Sequence, residues 1–257
     1  MAPWHEYLVR VGWTPDGAHI WCQLLNRRQQ HLELILLSLC SFTGGQHKNS
    51  LPPTPTYAPH PSFPPHCLVS QTSTVWIDVH NMLYWFKSHS EPSQKKLIFA
   101  SEESGYRHLY LHIVQLNPAV GVNNCYEMPS GHDDHKLVSA PLREKRALTW
   151  GDWSVLTNGL WVDEALGLVY FMGLKDTPLE QHLYVTSIKR PGFIQKLTGA
   201  DYSHQVFMND DCSIFVTVFS NLETPSKSQV FRVLPAPQNS TDSLVNLTLL
   251  GDLVSEP

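Results

Sequence analysis

Short apolar runs rich in β-branched and aromatic residues recur along this chain, each bounded by polar turn residues. No long stretch keeps a helical period of apolar positions. Strands are expected over residues 18–25, 32–37, 96–100, 108–114, 159–162, 167–172, 182–188 and 213–219. The apolar stretch from Ile20 to Leu37 imitates a helix, but Asn26-Arg27-Arg28-Gln29-Gln30 breaks it into strand, turn, strand. Asp16-Gly17 and Asn158-Gly159 carry the chemistry of tight turns that need positive φ.

One unit repeats: an apolar strand, a polar turn, then a strand opening on His-Leu. His31-Leu32-Glu33-Leu34, His108-Leu109-Tyr110-Leu111 and His182-Leu183-Tyr184-Val185 stand 77 and 74 residues apart (31 to 108, 108 to 182). A fainter copy runs from Phe215-Val216-Thr217-Val218 into Gln229-Val230-Phe231-Arg232-Val233. A single hairpin sheet leaves an apolar face bare, and only a neighbouring copy covers it. The pattern predicts an all-β fold, a partial β-propeller of about four blades of antiparallel strands filling residues 1–257, with a β-sandwich as the plainer reading. Equivalent positions in a repeat serve architecture, so His31, His108 and His182 are expected to bond to neighbouring strands or turns rather than to catalyse.

Two stretches interrupt the pattern. Residues 41–74 hold Pro52-Pro53, Pro55, Pro59, Pro61 and Pro64-Pro65, and proline removes a ladder donor. This Pro-rich segment is expected to be an exposed, largely disordered insertion. Pro52 and Pro55 form a PxxP, but no arginine flanks it, which favours a linker over a polyproline ligand. The second loop, 117–141, contains Gly131-His132-Asp133-Asp134-His135. Adjacent residues on a loop rarely converge on one ion, so a solvated loop is expected and no metal.

Composition narrows the class. The chain has 257 residues, 42% of them hydrophobic, enough for a sizeable core, and only 16% charged, which argues against wholesale disorder. A net charge of −5 leaves no basic excess for a phosphate backbone, so nucleic acid is excluded as a general partner. No apolar run reaches the roughly 18 residues of a membrane helix. Residues 1–6 lack the charge and apolar core of a signal peptide. Five scattered cysteines suit reduced thiols, and a cytoplasmic protein is expected despite the sequons at Asn239 and Asn246.

Catalytic motifs are missing: there is no G-x-S-x-G, HExxH or GxxxxGK[ST]. Glu102-Glu103 is a paired carboxylate on a turn, expected to be solvated, with Arg107 as a partner. No catalytic residue, metal or cofactor is assigned.

Lys175-Asp176-Thr177-Pro178-Leu179-Glu180 followed by His182-Leu183-Tyr184-Val185 resembles a propeller hairpin of the dipeptidyl peptidase IV family of the prolyl oligopeptidase clan, and within it the cytosolic members. The similarity extends to Pro3-Trp4, Glu6-Tyr7-Leu8, Gly12-Trp13-Thr14 and Asp16-Gly17 at the start of one blade. It continues through Val75-Trp76-Ile77 and Val79-His80, read as a strand, and Ala147-Leu148-Thr149, Gly151, Trp153 and Val155-Leu156 in the next blade. The family joins an eight-bladed propeller to an α/β-hydrolase domain carrying Ser, Asp and His. The resemblance therefore implies the propeller portion of a serine-type post-proline dipeptidyl aminopeptidase, homodimeric when full-length. Its peptide substrates would carry Pro or Ala at the second position. The hydrolase domain is expected to be absent from these residues, and the chain to be inactive alone. The family's paired-glutamate helix lies upstream of the matched region, so its role is not carried to Glu102-Glu103. In Tyr84-Trp85-Phe86-Lys87, Phe86 matches a propeller phenylalanine that faces substrate and is the one expected substrate contact. The alternative is a non-catalytic propeller that serves as a protein-interaction module.

Overall fold

The computed structural model describes residues 5–39, 65–87, 91, 93–116, 138–237 and 240–253. The first sheet is the antiparallel meander β1 (Tyr7–Trp13), β2 (His19–Leu25), β3 (His31–Ser38) and β4 (His66–Thr72). The short β8 (Val138–Ser139) adds to β4 in parallel. The second sheet orders β5 (Leu83–Trp85), β6 (Gln94–Ser101), β7 (His108–Gln115) and β9 (Leu142–Ala147). The third is β10 (Val155–Asp163), β11 (Leu168–Gly173), β12 (His182–Ser187) and β13 (Arg190–Lys196). The fourth is β14 (Ser203–Met208), β15 (Ile214–Ser220), β16 (Lys227–Pro235) and β17 (Val245–Asp252). Four such meanders and no α-helix among the described residues make this a partial β-propeller, each sheet a blade.

Three sequence readings need correction. Residues 66–72 of the supposed insertion 41–74 form β4, paired along β3 from His31↔Thr72 to Leu36↔His66. The prolines end at Pro65, and Cys67-Leu68-Val69 has the composition of a strand. Residues 41–64 lie outside the described residues. Val75 to His80 is not a strand; it is irregular chain tied back by the Ile77 N–H to Gln29 O bond of 2.7 Å. Gly159 sits inside β10 rather than in a turn, and it lacks a positive φ. A Cβ there would fall 2.4 Å from the Trp161 ring, so glycine admits the indole against the strand.

The predicted turns at the first blade are present. Gly17 has φ of 65°, and Asp16 Oδ1 accepts from Thr14 Oγ1 at 2.6 Å and from Ala18 N at 3.1 Å. Asn26 Oδ1 accepts the Gln30 and His31 amides, and Gln29 takes φ of 57°. These bonds fix the β2–β3 register from Leu25↔Leu32 to His19↔Ser38.

The chain divides into two compact units, one of residues 1–79, 89–95 and 114–143, the other of 80–88, 96–113 and 144–257. In the first, Cys22, Leu24 and Ile35 form a small core with Ile20 and Leu37. In the second, β11 is buried on both faces. Val169 and Phe171 face a cluster with Ile98, Leu109 and Leu111 of the second sheet. Leu168, Tyr170 and Met172 face Val206, Phe215 and Val233 of the fourth. The strand period of two thus sends alternate residues into the two inter-blade cores. Each large side chain so buried contributes about 1.5–3 kcal/mol.

Candidate functional site

The segment expected to meet substrate follows β5. Phe86 N–H donates to Lys96 O at 3.1 Å, extending the β5–β6 pairing by one residue. The Phe86 ring is 2% exposed, within the core cluster that includes Met82, Ile98 and Val162. Tyr84 meets it edge-on at 5.5 Å, and Lys96 Nζ lies 4.1 Å from its centroid. Burial lowers the Lys96 pKa, opposed by the Glu164 carboxylate.

Glu164 holds this segment, and the sequence reading missed it. Its Oε1 accepts Tyr84 Oη–H at 2.9 Å and Lys87 N–H at 2.8 Å. The β10–β11 turn sets it in place: Asp163 Oδ1 accepts Leu166 N–H at 3.0 Å, Asp163 O accepts Gly167 N–H at 2.8 Å, and Gly167 has φ of 68°. Burial raises the Tyr84 pKa, and the bond to Glu164 adds to it. The turn was legible from Asp163 and Gly167; its reach to a residue 80 positions earlier was not.

The repeated histidines are architectural, as their spacing implied. Each opens the third strand of its blade and meets a hydroxyl on or just beyond the fourth. His31 Nε2 lies 3.0 Å from Ser70 Oγ, His108 Nδ1 3.1 Å from Thr149 Oγ1, and His182 Nδ1 2.9 Å from Thr198 Oγ1. His204, unremarked in sequence, makes a similar bond between the first two strands of the fourth sheet, with Nδ1 2.9 Å from Thr217 Oγ1 of β15. His108 and His204 each turn Nε2 to a carbonyl, of Gly151 at 2.9 Å and Gly199 at 3.0 Å. A carbonyl only accepts, so Nε2 carries the proton, and in the neutral ring Nδ1 accepts from threonine.

The paired carboxylates are each claimed by a cation. Glu102 meets Arg107 at 2.5 Å and Glu103 meets Lys145 at 2.5 Å, so neither is set to work with the other as an acid–base pair. Among the described residues no three His, Cys, Asp or Glu side chains are placed to hold a metal ion, and the loop around His132 lies outside them. Within the first unit, Glu33 lies 3.4 Å from His5 Nε2 and 3.5 Å from His31 Nε2. Burial raises its pKa to about 7 and lowers that of His5 to about 4.

Blade packing, not a catalytic constellation, is what these side chains define, and the class of protein is a propeller domain. Residues 1–226 match the family described as Dipeptidyl peptidase IV (DPP IV) N-terminal region, and the chain belongs to that family. It is 34% identical over 238 residues to dipeptidyl peptidase 8 of Mus musculus, across 91% of this chain and 26% of that protein. Against dipeptidyl peptidase 8 of Homo sapiens it is 34% identical over 239 residues. A probable dipeptidyl-aminopeptidase B of Aspergillus clavatus is 33% identical over 84 residues, 28% of this chain. The chain spans about a quarter of the length of the first two relatives.

Proposed function

We propose that these residues are the propeller portion of a serine-type post-proline dipeptidyl aminopeptidase of the cytoplasm, homodimeric when full-length. The match of residues 1–226 to the dipeptidyl peptidase IV N-terminal region carries this reading. In such an enzyme a serine, activated by histidine, attacks the carbonyl carbon of the Pro or Ala at the second position. An acyl-enzyme forms as the shortened peptide leaves, and water releases the dipeptide. The 257 residues contain no G-x-S-x-G segment, so the reading assigns that chemistry to a hydrolase domain outside them. The propeller would restrict entry and frame the pocket for a peptide with a free amino terminus.

Phe86 is the proposed substrate contact. Its ring lies beneath Lys96, so a peptide would reach it only by displacing that side chain, with Glu164 holding the segment meanwhile. A second reading, a non-catalytic interaction module, draws on exposed aromatics such as Trp13, Trp76 and Trp150.

A glycyl-prolyl chromogenic substrate tests the first reading. The purified chain is expected to give no turnover, while the native full-length gene product hydrolyses the substrate and Phe86→Ala raises its KM with little change in kcat. Serine-inhibitor-sensitive turnover by the 257-residue chain alone, or an inactive full-length product, would sink it.

A further inference from the structure

The crevices on either side of the third blade are built from equivalent positions and finished differently. Leu148-Thr149-Trp150-Gly151-Asp152-Trp153-Ser154 reappears 49 residues later as Leu197-Thr198-Gly199-Ala200-Asp201-Tyr202-Ser203. Strand register carries the equivalence into the sheets: Phe171 pairs with Tyr184 as Thr217 pairs with Gln229, and Gly173 with His182 as Phe219 with Lys227.

The first crevice is filled. Trp153 stacks on Phe171 at 6.0 Å, Phe171 on Tyr184 at 5.8 Å, and the indole lies 3.3 Å from where a Cβ on Gly173 would stand. In the second, Tyr202, Thr217 and Gln229 replace those three aromatics, and Gly199 replaces Trp150. The smaller groups leave a cavity of about 190 Å³ lined by Tyr202, His204, Thr217, Phe219, Gln229 and Phe231.

Its walls specify the occupant. Tyr202 stands at 80° to Phe219 with centroids 5.2 Å apart, which makes a corner. His204 already lies along Phe219 at 5.4 Å and 26°, so no parallel slot is open for a flat base. A corner of two aromatic faces suits a compact, puckered ring, and since about 150 Å³ holds a benzene, the space takes one ring. No lining side chain is charged at neutral pH, burial holding His204 down to about 4. Gly199 O and Thr217 Oγ1 are already engaged by His204. Gln229 adds a side-chain amide to this lining, and an amide matches the donor and acceptor of peptide groups.

We propose that this crevice binds a proline residue of an uncharged stretch of peptide, the pyrrolidine ring in the Tyr202–Phe219 corner and the flanking peptide groups on Gln229. Proline brings a preformed ring and no N–H that would need an acceptor from these walls.

The test is a titration of the 257-residue chain with N-acetyl-Ala-Pro-Ala amide, followed by backbone amide NMR shifts, with the trialanine analogue and indole as controls. Saturable shifts centred on Gly199, Ala200 and Tyr202, given by the proline peptide alone, are expected. Gln229→Leu, which keeps the volume and loses the amide, is expected to bind about fivefold more weakly. Gln229→Tyr refills the crevice as Tyr184 fills the other, and is expected to bind at least about tenfold more weakly with the remaining spectrum intact. No saturable shift with the proline peptide, equal shifts with trialanine, tighter binding of indole, or unchanged affinity in Gln229→Leu would each overturn the proposal. The Gln229→Leu arm decides the matter should Gln229→Tyr fail to fold.

Discussion

His182 Nδ1 lies 2.9 Å from Thr198 Oγ1, the same oxygen that accepts the Leu183 amide at 3.2 Å. His108 and Thr149 repeat the arrangement, with the Leu109 amide on Thr149 Oγ1 at 3.0 Å. One hydroxyl thus ties the start of a third strand to the chain leaving the fourth. It does so through backbone and side chain together, at a place where both histidines are fully buried.

Thr198→Val keeps the shape and removes the hydroxyl. The Leu183 N–H and His182 Nδ1 are then left buried without their partner, each at a cost of about 1–3 kcal/mol. A loss of about 3 kcal/mol is expected in urea unfolding, and Thr198→Ser should recover most of it. Equal stability of the Val and Ser variants would show that the hydroxyl contributes nothing.

The blades were legible where strands have hydrogen-bonded neighbours on both sides. β2, β3, β6, β7, β11, β12, β15 and β16 are interior strands of the four sheets, and all were marked by apolar runs such as Leu168-Val169-Tyr170-Phe171-Met172, whereas β4, interior only through the short β8, was not. The outer strands escaped, β10 excepted in part. Leu142-Arg143-Glu144-Lys145-Arg146-Ala147 is a polar edge, and Arg190-Pro191-Gly192 opens β13 with two residues that normally mark turns. The histidine repeat exposed its role because spacing is a sequence property. Glu164, His5 and the emptied crevice did not, since each depends on partners brought together from distant positions.

Acid should unfold the second unit through its buried imidazoles. Burial lowers the pKa of His112 and of His204 from 6.5 to about 4. The unfolded chain therefore binds protons more readily between those values, so this contribution is complete above about pH 6.5 and is lost as pH falls towards 4. Melting temperature should fall steeply across that window. His112 Nδ1 is buried without a hydrogen bond among the described residues, so His112→Leu should flatten the fall at little cost at pH 7.5. A variant with the wild-type slope would refute the assignment.

Lys95 is 2% exposed, and its ammonium is paired with Asp16 in the β1–β2 turn. Asp16→Asn leaves that charge buried without its counter-charge. Breaking a fully buried pair costs about 3–5 kcal/mol, and Asp16 is partly exposed, so about 2 kcal/mol is expected. Burial alone would raise the Asp16 pKa, but the bonds from Lys95, Thr14 and the Ala18 amide together hold it below the usual carboxylate range. The stabilisation is therefore complete above the unfolded value and is lost as pH falls below it. Lys95→Met with Asp16→Asn should recover stability relative to Asp16→Asn alone. Additive losses in denaturant titrations would show that the two residues do not act as a pair.

Glu33 runs the pH dependence the other way. Burial raises its pKa from 4.5 to about 7, so the folded protein holds this proton more tightly than the unfolded chain. Its contribution is complete below pH 4.5 and is lost as pH rises to about 7. His5, held down at about 4, supplies no positive charge across that range, and the His31 pKa is also lowered by burial. Glu33→Gln keeps the shape and removes the ionisation. The variant should be the more stable protein at pH 7.5, and the difference should shrink steadily towards pH 4.5 in thermal melts. A difference that stayed constant with pH would mean that Glu33 ionises as freely in the fold as in the unfolded chain.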